Sequence, residues 1–98
     1  MNPILIDLSK QLPSTAKTSI FIHQSKKYKD IAAQAKSEMD CLKKYDVWVE
    51  EDQEVEIFLK ENGYEKWLSN CENEDRLKLI GFLKLLIELC EDLIEEDS

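Results

Sequence analysis

The chain has 98 residues, 13 Lys plus Arg, 21 Asp plus Glu and one His, for a formal net charge of −8. That length fits one domain, 1–98, with a real core. Two Gly and two Pro exclude collagenous, low-complexity and turn-dense all-β designs. The charge is segregated: residues 1–49 hold 8 Lys against 5 acids, and residues 50–98 hold 4 Lys and Arg76 against 16 acids. The halves are therefore +3 and −11. Such a chain lacks the basic footprint of a general DNA or RNA binder, and no direct nucleic-acid binding is expected.

Asn2-Pro3 opens the chain as an N-cap with Pro at the first helical position. Ile4, Leu5, Leu8 and Leu12 follow at helical spacing, Pro13 is expected to stop this helix, and Ser14 and Thr15 offer a new cap. Ser19–Ile22 is rich in strand formers but too brief for periodicity to decide. Tyr28, Ile31, Ala32, Ala35, Met39, Leu42 and Tyr45 then form one apolar stripe and predict a long helix. Lys29, Lys36 and Lys43 recur beside it, their stems placed to cover its edge.

Val47-Trp48-Val49 has strand character and leads into the polar run Glu50–Gln53. Val55, Phe58 and Leu59 restore helical spacing, and Gly63 is a helix stop in the left-handed conformation. Tyr64–Leu68 reads as a short helical turn bearing Trp67. Asn73 is the expected cap of the last helix, with Glu74 and Asp75 in its first turn. From Leu77 to Ile94 that helix is Leu, Ile, Phe and Cys around most of its circumference, which predicts a central helix contacted from several sides.

These elements predict an all-α bundle of four or five helices with the C-terminal helix at its centre. The alternative is α+β, with short strands at residues 19–23 and 47–51.

No basic run precedes the first apolar residues, and no segment is long and apolar enough to span a bilayer. Cys41, Cys71 and Cys90 have no metal-site spacing and read as small buried hydrophobes of a reducing compartment. A cytoplasmic location, no membrane contact and no cofactor are expected. One His and no phosphate-cradling glycine loop give no enzyme signature, so no catalytic residue is named.

Two acidic clusters stand out. Glu50, Glu51, Asp52, Glu54 and Glu56 are five acids in seven residues. At a helix start the helix dipole accounts for them. Glu91, Asp92, Glu95, Glu96 and Asp97 lie instead at a helix C-terminus, where the dipole disfavours acids. They also repel one another at i,i+4 spacing, and no Lys or Arg follows Lys84. This cluster is either a solubilising tail or a surface that meets a basic partner.

The second reading suits a non-enzymatic inhibitor or regulator of another protein, presenting carboxylates where phosphates would lie. In size and acidity the chain resembles immunity proteins, antitoxins and phage anti-defence proteins, a resemblance of composition alone. Phe58–Leu68, FLKENGYEKWL, is similar to the start of a sterile-alpha-motif domain, but the continuous apolar final helix departs from that pattern. The expected partner-binding residues are Glu50, Glu51, Asp52, Glu54, Glu91, Asp92, Glu95 and Glu96, with Trp48 and Trp67 as anchors or, alternatively, core-edge aromatics. A rival reading is a structural subunit or secretion-type chaperone that forms a homodimer through its apolar helix.

Overall fold

The computed structural model describes residues 2–47, 53–68, 70 and 72–97. They form six helices: α1 (Pro3–Ser9), α2 (Lys17–His23), α3 (Tyr28–Val47), α4 (Gln53–Glu61), α5 (Glu65–Leu68) and α6 (Asn73–Asp97). The fold is all-α, with no strand among the described residues.

The α1 start follows its sequence signals. Asn2 Oδ1 accepts the backbone N–H of Ile4 at 2.8 Å, and Pro3 occupies the first turn. The helix ends at Ser9, earlier than Pro13 alone would require, and Ser9 Oγ donates to the Ile6 carbonyl at 2.6 Å.

Residues 19–23 are helix, not strand. Ile22 is fully buried while Ile20 is exposed, so burial selects one side of a helix. Of the second proposed strand, 47–51, Val47 ends α3 and 48–51 lie outside the described residues. The expected Ser14 or Thr15 cap of α2 is also corrected. Its N-cap is Ala16, whose methyl group offers no hydrogen-bond acceptor, and the first two amides are satisfied from other elements. Lys17 N–H donates to the Asn62 carbonyl at 2.9 Å, and Thr18 N–H donates to Glu38 Oε2 at 3.0 Å.

In α3 the apolar stripe packs as its spacing predicts: Ile31, Ala32, Ala35 and Leu42 are buried and Tyr28 and Met39 half-buried. Gly63 closes α4 at φ +92°. The Gly63 amide donates to the Lys60 carbonyl at 3.2 Å and the Tyr64 amide to the Leu59 carbonyl at 2.9 Å, a Schellman closure. A Cβ on Gly63 would meet the Thr15 carbonyl oxygen at 1.8 Å, so this turn admits no side chain. At the next helix start, Asn73 is the first residue of α6 and not its cap, since the Glu72 carbonyl already accepts from the Arg76 amide.

The long helices α3 and α6 make the most extensive packing in the molecule. Leu79, Leu83, Leu86, Ile87 and Cys90 fill the buried side of α6. Helix α3 also meets α2 and α4, whereas α6 meets only α3 and α1 among the described helices. The helix with neighbours on most sides is thus α3. Helix α6 leaves Leu77 59% and Leu85 50% exposed. The reason lies in the small partners: α1 is seven residues long and covers only part of α6.

Candidate functional site

The acidic end of α6 is an open surface. Glu91, Asp92, Glu95 and Glu96 are all exposed, in the last two turns of a 25-residue helix with no basic residue in its final turn. Glu91 is held across the bundle by Lys36 of α3, Nζ to Oε1 2.9 Å. The lysine missing from the local sequence is supplied from a distant segment, and it offsets one acid of the cluster. Asp92 and Glu96 make no ion pair among the described residues. Their charges therefore add to the negative end of the helix dipole with no cation to relieve them.

The other expected site residues are dispersed. Trp48, Glu50, Glu51 and Asp52 lie outside the described residues. Glu54 is exposed in the first turn of α4, where the helix dipole favours it. It borders a shallow pocket of about 210 Å³ with Cys41, Lys44, Val55 and Phe58.

Trp67 sits half-buried on α5, edge-on to Tyr64 with ring centroids 5.7 Å apart and planes at 77°. Its exposed side borders a groove of about 530 Å³ with Leu12, Pro13, Asp75, Lys78, Leu79 and Phe82. Asp75 and Glu95 lie at opposite ends of α6, about 30 Å apart at a rise of about 1.5 Å per residue. Trp67 and the acidic end therefore do not form one compact patch.

A polar site that the sequence pattern does not announce lies inside the bundle. Glu38 of α3 is 0% exposed and has no cation beside it among the described residues. Its Oε2 accepts from the Thr18 amide at 3.0 Å, the Thr18 hydroxyl at 2.6 Å and Gln34 Nε2 at 2.5 Å, while Oε1 accepts from the Tyr64 hydroxyl. Gln34 Nε2 also donates to Asn62 Oδ1 at 2.9 Å, and Asn62 Nδ2 donates to the Phe58 carbonyl at 2.8 Å. One carboxylate thus ties α2 and the α4–α5 turn to α3.

Burial pushes the Glu38 carboxyl above its ordinary range, and the hydrogen bonds from Thr18, Tyr64 and Gln34 pull it partly back. Burial and the neighbouring carboxylate also raise the Tyr64 hydroxyl, which stays protonated and donates. The signal for Glu38 is its position: it falls between Ala35 and Leu42 on the buried stripe, where a charge needs partners.

Elsewhere the chemistry is quiet. His23 is exposed, with Nε2 3.5 Å from Ser9 Oγ. Cys90 is buried, and burial with Glu91 nearby pushes its thiol up to about 11, so it is protonated near neutrality. Cys41 is half-buried, and Cys71 lies outside the described residues. Among the described residues no three His, Cys, Asp or Glu side chains are placed to hold a metal, and no helix is long and apolar enough to cross a membrane. The chain matches no protein-family model, no curated protein and no solved structure.

Proposed function

We propose that this chain is a non-enzymatic binding module that inhibits or regulates a partner protein by occupying a basic surface on it, in the manner of an immunity protein, antitoxin or anti-defence protein. The observation that carries the reading is the end of α6, where Asp92 and Glu96 stand exposed against the helix dipole with no ion pair among the described residues. Charges kept where they cost local stability are accounted for by a use outside the fold. Exposed carboxylates on one helix end offer negative charge to a basic surface, and the −11 of residues 50–98 steers a cationic partner toward it. Trp67 borders a separate groove near the other end of α6 and would anchor only a partner long enough to reach both.

The test is capture of partners from native lysate of the source cells at about 50 mM and about 500 mM salt, since electrostatic contacts weaken as the screening length shortens. The reading expects a partner held at low salt, released at high salt, and lost at both when Asp92, Glu95 and Glu96 are changed to Asn, Gln and Gln. Partners that all stay bound at high salt contradict it.

A further inference from the structure

Helices α1 and α2 pack on each other, with α1 also against α6 and α2 against α3. Four residues, 24–27, connect the pair to α3. Beyond that connection, the hydrogen bonds that hold the pair to the rest of the molecule converge on one place. Among the described residues they are the Thr18 amide and hydroxyl to Glu38 Oε2 at 3.0 and 2.6 Å, the Lys17 amide to the Asn62 carbonyl at 2.9 Å, and the Thr15 hydroxyl to the Gly63 carbonyl. Glu38 also reaches the turn at Asn62 and Gly63, through Gln34 to Asn62 and through the Tyr64 hydroxyl. Each of these contacts therefore ends on Glu38 or on the turn that Glu38 steadies.

We propose that Glu38 is a proton-operated latch for this pair: the protonated carboxyl holds α1 and α2 closed on α3, and its ionisation raises the population in which they swing away about the connection 24–27. The reason is where the charge stands. The carboxyl is fully buried, and the side chains that face it are Thr18 of α2, Gln34 of α3 and Tyr64 after α4, of which Tyr64 alone is titratable. Among the described residues no charged side chain of α2, α4 or α6 stands against it. Lys17 of α2 lies over the Phe21 ring, Lys60 of α4 pairs with Glu56, and Lys36 of α3 pairs with Glu91 of α6. A buried anion without a cation is costly, and moving the pair aside lets water reach it. The neutral carboxyl avoids that cost, and the rotatable hydroxyls of Thr18 and Tyr64 can accept a hydrogen bond from it. In the open state the carboxyl titrates in water at its ordinary value of 4.5, whereas in the closed state burial holds its proton to higher pH. The closed state thus binds more protons, and opening grows as pH rises from the first value through the second. Opening uncovers the part of α6 that α1 covers.

Native-state hydrogen exchange on the purified full chain tests this without any partner, so its outcome is separate from that of the acidic-surface reading. After correction for intrinsic exchange, the amides of α2 are expected to be less protected than those in the buried middle of α3 and α6, and to open as one group. Between about pH 4 and about pH 8 their protection is expected to fall about fivefold or more further in the wild type than in Glu38→Gln, which keeps the shape without the titration. The carbon resonance of the Glu38 carboxyl, followed by NMR in the wild type, is expected to titrate above 4.5, a reading that stands even if Glu38→Gln loses its fold. The proposal is overturned if α2 exchanges only together with α3 and α6, if its protection has the same pH dependence in the wild type and in Glu38→Gln, or if Glu38 titrates at or below 4.5.

Discussion

Two sets of carboxylates in this molecule answer to opposite physics. Glu38 is sealed in the bundle and receives hydrogen bonds from Thr18, Gln34 and Tyr64. Asp92 and Glu96 lie in water at the negative end of α6, without an ion pair among the described residues. The buried acid joins three segments, and the fold depends on it. The exposed acids oppose their own helix, and the fold would be better without them. Charge by itself does not tell these roles apart; position and partners do.

The sharpest way to break the buried side is Glu38→Ala. It strands the Thr18 amide and hydroxyl and the Tyr64 hydroxyl, and opens a void. A loss of about 3–5 kcal/mol in unfolding free energy is expected by denaturant titration. Gly63→Ala attacks the same junction through the backbone, because a Cβ at φ +92° runs into the Thr15 carbonyl. Its expected loss is about 2–4 kcal/mol, read as a lower denaturant midpoint with an unchanged slope. Ala in place of exposed Gly81, which has open space around it, is expected to raise stability by about 1 kcal/mol.

Glu38→Gln keeps the shape and removes the titration. The folded carboxyl holds its proton more tightly than the unfolded one, whose ordinary value is 4.5. Its contribution to stability is therefore fully present below that value and is lost as pH rises through the folded one. The deficit of Glu38→Gln relative to wild type is expected to be largest below pH 4.5 and to shrink toward neutrality. A deficit that grows with pH would reverse the assignment. The smallest expected effect belongs to the contact between the two regions' helices: Lys36→Ala, which removes the half-exposed partner of Glu91, costs about 0.5 kcal/mol or less in the same titration.

Much of the fold is legible in the sequence because its signals are local. The Asn2-Pro3 cap, the α3 stripe, the Gly63 stop and the short turn bearing Trp67 all depend on residues a few positions apart. What is not legible depends on distance along the chain. Helix α2 has no cap of its own and is completed by Glu38 and the Asn62 carbonyl, so its seven residues read equally well as a strand. Lys36 reaches Glu91 from another helix, which no scan of the residues after Lys84 can find. The apolar circumference of α6 exceeds what its neighbours can cover, and the row left open follows from how short α1 is. The acidic cluster at α6 was visible as charge, and the structure adds which of its members already has a partner.

The contrast between the two sets of carboxylates is tested most directly by the unfolding free energy of one double variant, Asp92→Asn with Glu96→Gln, measured by denaturant titration at neutral pH and low salt. If these acids are held against the stability of their helix, the variant is more stable than the wild type, by about 0.5–1.5 kcal/mol. A variant less stable than the wild type would make them part of the fold's own support and would contradict the account.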